Sequence, residues 1–492
     1  MARSRFHVRM AIYLGLGSLQ AAFSLILMPA YAHILTVSEF GLLALLLSLE
    51  QLFLVIMDLG MSSGAVRTYH AKRDETLAFL NGPALFLLYQ RLALKLSCLA
   101  FGAIAVALIV MDAAFPQTVS VALAFALTLV SSWFQRINNS FASAYRAQEE
   151  AGRFAQLALA RIIGLTTVTF GILMFLEVGI VGLIISRILV FGATALFEMH
   201  TMAKPSLTAE QLQKGRAYVR DCARRLAGSL LPIDLLGWGK GRGNRVALAS
   251  VLSFAGLGVF NAAAAPGQVL TIVGLAFNRA FEPLVYKRVK EGSAEAIDLV
   301  RDMGSAFLAS QAVIALAVSA IASEVYRLAF PEPYHIAAVY TPLALASAFV
   351  ASSEAISVRA LMAHGHLAIL PKVQVAATVS GLGLMMALAY LFGLTGAMFG
   401  MLAMSAIGST GMWLAARSGF GATHFPLGFT LFLMAIVIAF SCVPLFLSEA
   451  WVNSDSLSWR LLLATVACSS IGIGFCLTHK PFVRMLIREF RR

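Results

Sequence analysis

Charge is scarce in this sequence. Only 12% of its 492 residues are Asp, Glu, Lys or Arg, against about a quarter in a soluble domain. Hydrophobic residues make up 60%, and the mean hydropathy is +0.83. This balance excludes an ordinary soluble fold and leaves a polytopic membrane protein. Long polar loops are also missing, so no soluble catalytic domain fits between the apolar runs, and an enzyme is not expected. No Gly-x-x-x-x-Gly-Lys-[Ser/Thr] phosphate loop occurs, which excludes ATP hydrolysis by that motif. Gly239-Lys240-Gly241-Arg242-Gly243 is superficially similar but lacks the spacing. Cysteines are few and scattered (Cys98, Cys222, Cys442, Cys468, Cys476). Without Cys-x-x-Cys or His/Cys spacing they read as buried free thiols, and neither a metal nor a cofactor is expected. The net charge of +13 does not signal nucleic acid, because the basic residues sit in alternate loops, as membrane orientation requires.

Long apolar runs are what the chain has in abundance. The stretch from Thr36 to Arg67 is representative: a polar turn, Thr36-Val37-Ser38-Glu39, an apolar run from Phe40 to Met57, then Asp58-Leu59-Gly60. A run of that length spans a bilayer. Spans are expected at 11–35, 40–66, 84–111, 118–143, 154–176, 179–200, 224–243, 256–284, 299–321, 336–360, 368–392, 394–416, 426–447 and 459–478. The outline repeats. Gly41 and Gly258 each open a long apolar helix, 217 residues apart, and the Gly-x-x-Gly of Gly179 and Gly182 returns at Gly393 and Gly396, 214 residues on. Two nearly equal offsets point to two similar halves, a common way to build a transporter. The expected organisation is an N-terminal lobe over 1–200, a linker over 201–223, a C-terminal lobe over 224–417, and two further spans with a basic tail over 418–492. Thr208-Ala209-Glu210-Gln211 in the linker has the pattern of a helix start. The loop set that includes both termini carries most of the Lys and Arg, which places both ends in the cytoplasm. The tail from Lys480 suits either an amphipathic helix on anionic membrane lipids or a plain positive anchor.

Charges inside the spans are expensive and so are candidates for function. Glu50 lies roughly 15 Å into its span and Arg187 roughly 12 Å into another. Glu50 is a candidate for a cavity carboxylate or an internal ion pair. Asp58 shares its helix face, eight residues on, and suits pairing with a nearby Arg. Arg187 needs a partner, a wet cavity or an anionic ligand. Arg91 and Lys95, spaced i, i+4, form a cationic pair that either visits an anion or reaches the interface. Arg136 and Arg161 sit nearer helix ends and are expected to orient their helices. The seventh span is irregular. Pro232 should bend it, and glycines at 237, 239, 241 and 243 should weaken it. Asp234 falls near mid-depth there. Lys240, Arg242 and Arg245 follow, either holding a phosphate on exposed amides or ending the helix at the interface.

These motifs resemble the polysaccharide and O-antigen flippases of the multidrug/oligosaccharidyl-lipid/polysaccharide exporter superfamily. The resemblance is carried by Ser38-Glu39-Phe40-Gly41, by Asp58-Leu59-Gly60 with Arg67, by Gly256-Leu257-Gly258-Val259-Phe260 and by Gly393-Leu394-Thr395-Gly396-Ala397. Asn244-Arg245 and Phe260 depart from the family's Asp-Arg and Tyr. The resemblance implies an all-α polytopic protein with about fourteen transmembrane helices in two pseudo-symmetric lobes around a central cavity. It implies export of an undecaprenyl-pyrophosphate-linked oligosaccharide across a bacterial inner membrane, alongside glycan polymerase or export machinery. Lys240, Arg242, Arg187, Lys95 and Arg91 would then serve the anionic headgroup, and Glu50, Asp234 or Asp58 an ion-coupling or ion-pair role. A multidrug/cation antiporter of the same superfamily, or a membrane scaffold of a glycan-synthesis complex, are the other readings.

Overall fold

The computed structural model describes residues 25–70, 79–80, 82–114, 119–176, 179–202, 207–275, 294–363, 369–420, 426–452 and 457–479, with isolated positions at 15, 19, 23 and 277. Most of the first expected span, the loop cations Lys72, Arg73, Lys287, Arg288 and Lys290, and the tail from Lys480 lie outside the described residues. The regular structure described is helical throughout. The helices are α1 (Leu25–Ile34), α2 (Val37–Asp58), α3 (Met61–His70), α4 (Gly82–Ala114), α5 (Val119–Ala147), α6 (Ala151–Leu176), α7 (Gly179–Thr201) and α8 (Ala209–Trp238). They continue with α9 (Asn244–Leu248), α10 (Phe254–Ala264), α11 (Gly267–Leu275), α12 (Ala294–Ala329), α13 (Ala337–Ala363), α14 (Ile369–Phe420), α15 (Leu427–Phe446), α16 (Ser448–Val452) and α17 (Leu457–Thr478). Among the described residues nine helices are long and apolar enough to cross a membrane, or ten with the bent pair α10–α11. The protein is an all-α polytopic membrane protein.

Local chemistry explains where these helices begin and end. Thr36 and Glu39 form a reciprocal cap at the start of α2: the Thr36 amide and hydroxyl donate to the Glu39 carboxylate, each at 2.9 Å, and the Glu39 amide donates to Thr36 Oγ1 at 3.3 Å. The expected second span, 40–66, is shorter than anticipated. It stops at Asp58, because Leu59 and Gly60 take left-handed φ of 49° and 70°. Asp58 then caps α3, accepting from the Ser62 amide at 3.1 Å and hydroxyl at 2.6 Å. The apolar part of α14 covers 49 residues, about 74 Å of helix and more than twice a hydrocarbon core. Gly393 divides it at φ 58°, ψ −136°, giving the two spans expected at 368–392 and 394–416.

The chain forms two compact units. Leu42–Val246 cluster into the first; Ser24–Gly41 and the chain from Ala247 onward make up the second. In the first, the polar segment expected as a linker, 201–223, is helical from Ala209. Thr208 and Gln211 cap α8 with a reciprocal pair of hydrogen bonds at 3.1 and 3.3 Å. Val219 and Ala223 bury its inner face against Leu80, Leu88 and Tyr89, while Glu210–Lys214 and Asp221–Arg225 lie on its solvated side. In the second unit, Arg460 of α17 is fully buried and pairs with Glu324 of α12. It also donates to Ala320 O at 3.2 Å, which fastens the last helices to α12.

The glycine repeats have structural counterparts. Gly41 and Gly258 lie against each other in the second unit. A β-carbon on Gly41 would sit 1.8 Å from Phe254 O, and one on Gly258 would sit 2.3 Å from Val37 O and 3.3 Å from the Gly41 amide nitrogen. The second pair shares a conformation, with φ of 52° at Gly179 and 58° at Gly393. Equivalent glycines thus meet equivalent needs, backbone contact in one pair and left-handed φ in the other.

Gly41→Ala should therefore destabilise the protein by about 1–3 kcal/mol through overpacking against backbone. Gly102→Ala, where nothing lies within 4 Å of the added carbon, should be neutral or stabilising by up to about 1 kcal/mol. Melting temperatures in detergent compare the two; equal shifts would show that the close approach is not required.

Candidate functional site

The first unit collects charge in its interior. Glu50 of α2 is 1% exposed, and three donors converge on its carboxylate. Arg187 of α7 contributes Nη2 at 2.6 Å and Nε at 3.2 Å, and Ser131 of α5 contributes its hydroxyl at 2.7 Å. Two donors come from α7 and one from α5, so the carboxylate joins both helices to α2. A fork of two N–H groups onto one carboxylate is among the strongest polar contacts available. A small cavity beside the pair, lined by Leu43, Leu46, Leu47, Thr128 and Ile184, has room for about one water molecule.

A second arginine shares this neighbourhood. Arg161 of α6 is 8% exposed, and its guanidinium lies 5.3 Å from the centre of the Phe191 ring. Arg187 lies 5.2 Å from the same ring. One ring thus supports two guanidinium groups, a stabilising arrangement for desolvated cations. Arg161 Nη1 contacts Asn139 Oδ1 at 3.4 Å, and its Nε has no hydrogen-bond partner. Arg161 lies within electrostatic reach of Glu50 and Arg187, as does Arg242. Arg187 thus grips the carboxylate, and Arg161 and Arg242 act on it electrostatically.

A further pair lies along the same two helices. Arg136 of α5 is fully buried, with Nε 3.7 Å from Asp58. Its Nη1 lies 3.4 Å from Ser97 Oγ, while Nε and Nη2 have no hydrogen-bond partner. Trp133 Nε1 donates to the same serine at 3.2 Å. Asp58 thus has two duties, since it also caps α3. Asp234 of α8 is half-buried and within electrostatic reach of Asp58.

The seventh span corrects one expectation. Helix α8 continues through Pro232 to Trp238, and Gly239–Gly243 form a π-helical turn that runs directly into α9. The glycines widen the helix without opening it, so the backbone amides here stay within the helix and do not form an exposed anion nest. Lys240 and Arg242 ride on this wide turn. Trp238 Nε1 donates to Ser48 O inside α2 at 2.8 Å, which ties the turn to the helix that carries Glu50.

The structure brings together Glu50 and Arg187 with Arg242 in reach, and Asp58 with Asp234 in reach. Arg91 and Lys95 are separate. Both are exposed on α4, with no hydrogen bond or ion pair to a described residue. Arg136 and Arg161, expected only to orient helices near their ends, are buried members of the two clusters. Their position inside otherwise apolar helices is the signal that sequence carries for them. The buried contact of Tyr145 with Glu198 in the same unit has no sequence signal comparable to it.

No family model matches the chain, and no curated relative matches it in sequence. Solved structures do match. The structure of the lipid II flippase MurJ in an inward closed conformation superposes with a TM-score of 0.57 at 12% identity, over 95% of this chain and 99% of that one. An inward-facing multidrug resistance MATE family transporter of the MOP superfamily gives 0.53 at 15% identity, over 85% and 98%. The class defined by fold is thus a polytopic helical membrane protein. More particularly, the fold is similar to those of the solved flippase and the solved MATE transporter.

Removing Arg187 would leave Glu50 buried without its counter-charge. Arg187→Leu should cost about 3–5 kcal/mol, read as a lowered melting temperature, and Glu50→Gln added to it should restore most of the loss. Arg91→Leu, at an exposed site, should stay within about 0.5 kcal/mol. A tolerated Arg187→Leu would show that the pair does not hold the unit together.

Proposed function

We propose that this protein is a flippase for a lipid-linked oligosaccharide. It carries an undecaprenyl-pyrophosphate-linked glycan from the inner to the outer leaflet of a bacterial plasma membrane by alternating access. The observation that carries this reading is the gathering of Arg187, Arg161 and Arg242 around the single carboxylate of Glu50. A surplus of positive charge suits an anion, and guanidinium is the group that grips phosphate in two-point fashion. The superposition with a lipid II flippase over nearly the whole chain supports the lipid-linked cargo.

In this reading Arg187, Arg242 and Lys240 hold the pyrophosphate. Arg91 and Lys95 guide the headgroup from the cytoplasmic interface, where both termini lie. Glu50 or Asp234 carries a coupling proton, and an ion gradient or the membrane potential drives the cycle. No chemical bond is made or broken. Glycan polymerase or export machinery would take up the product.

The MATE transporter match favours a second reading, a multidrug/cation antiporter. The local charge argues against it, because an organic cation entering beside Glu50 would face three guanidinium groups. A scaffold in a glycan-synthesis complex would need none of these charges.

The test uses cells lacking this protein and asks which leaflet holds the undecaprenyl-linked oligosaccharide. The expected result is accumulation on the inner leaflet, reversed by wild type but not by Arg187→Ala or Lys240→Ala. Rescue by both variants would leave a flippase with a different site. Normal distribution without the protein, in a strain with no paralogue, would overturn the flippase reading.

A further inference from the structure

We propose that Glu50 is an internal competitor of the transported anion, occupying the arginine fork that the cargo's phosphate takes when it binds. This rests on the anion-flippase reading and adds a step that reading does not contain.

The donor set comes first. Arg187 Nη2 and Nε and the Ser131 hydroxyl meet the two Glu50 oxygens at 2.6, 3.2 and 2.7 Å. Two adjacent phosphate oxygens present acceptors of the same charge and nearly the same spacing, so the fork that holds a carboxylate also holds a phosphate.

Space decides between addition and exchange. The cavity beside the pair has room for about one water molecule, too little for a phosphate group. An anion therefore takes the Nη2–Nε fork of Arg187 only as the Glu50 carboxylate leaves it. Exchange also avoids the main cost of such a site. A buried charge stripped of its partner is strongly destabilising; Arg187 is paired before and after the swap, and the displaced Glu50 carboxylate turns to Arg242, which lies within its electrostatic reach.

The surroundings are built for the swap. Arg161 stacks on the same Phe191 ring as Arg187 and is 8% exposed, yet its Nε has no hydrogen-bond partner. With Glu50 in place the two arginines and Arg242 outnumber the single acid. An incoming phosphate would offer Arg161 Nε the acceptor it lacks. Ring stacking keeps both guanidinium groups positioned while the anion on Arg187 changes. Glu50 thus sets the threshold for occupancy: a ligand binds only if it wins Arg187 from the carboxylate.

The test compares purified wild type with Glu50→Gln, which keeps the shape and removes the charge. The probes are farnesyl pyrophosphate and inorganic pyrophosphate, followed by calorimetry in detergent, with farnesol as the neutral control. Glu50→Gln should bind farnesyl pyrophosphate about tenfold more tightly, with farnesol unchanged. The gain should vanish when Arg187→Leu is added. A gain for inorganic pyrophosphate as well would place the exchange at the headgroup alone; a gain confined to the lipid form would require the chain too, and either supports the exchange. Should Glu50→Gln fail to fold, Glu50→Asp carries the test. Its shorter side chain loosens the contact and should raise affinity about threefold. Unchanged or weaker binding in a folded variant, with Arg187-dependent binding by wild type, would overturn the competitor role and leave the flippase reading standing. A gain that survives Arg187→Leu would overturn it equally. Absence of pyrophosphate binding in every variant would overturn both.

Discussion

A carboxylate near the middle of an apolar helix needs a counter-charge, and the first compact unit is arranged around meeting that need. Glu50 on α2 draws Arg187 from α7 and Ser131 from α5, so the positions of three helices are set by one desolvated anion. The cost of leaving either charge alone in hydrocarbon is several kcal/mol, more than any single apolar contact in the unit supplies. Arg161 and Arg242 then raise the local positive charge above what Glu50 neutralises. Stacking on Phe191 offsets part of that cost for Arg161 and Arg187. The Arg136–Asp58 pair repeats the device along α5 and α2, with a longer separation and two guanidinium nitrogens left without hydrogen bonds.

The second unit solves the same packing problem with smaller polar groups. Ser347 bonds Ser405 at 2.8 Å and Met401 O at 3.0 Å, and Ser409 reaches Val350 O at 2.7 Å. These contacts satisfy hydroxyls between α13 and α14 without introducing charge. Its buried acid Glu354 accepts from Gln374 at 2.6 Å. The second unit keeps its buried ion pair elsewhere, with Arg460 of α17 on Glu324 of α12. The charged residues of the proposed transport site all belong to the first.

What the sequence reveals here follows from the range of each interaction. Helices and their caps are local, so the apolar runs, the Thr36–Glu39 start and the Thr208–Gln211 start are readable from neighbouring residues. The glycine pairs are readable because each copy carries the same requirement at nearly the same offset. Glu50 and Arg187 are each conspicuous as charges in apolar helices, but their pairing joins positions 137 residues apart, and no local pattern specifies it. Arg136 and Arg161 look peripheral when depth is counted from helix ends, because those helices run beyond the membrane-length core. The Gly239–Gly243 segment reads as broken by composition. The chain keeps it hydrogen-bonded as a π-turn, since glycine accepts a wide turn as readily as a break.

The central claim is that the charge surplus of the first unit selects an anion. The most direct measurement places the purified protein in proteoliposomes and follows, by access to a membrane-impermeant quencher, a fluorescent polyprenyl pyrophosphate and, separately, a fluorescent organic cation. The pyrophosphate should cross, the cation should not, and Arg161→Leu should slow the crossing at least tenfold. Crossing of the cation without the pyrophosphate would contradict it and assign the fold, in this chain, to cation export.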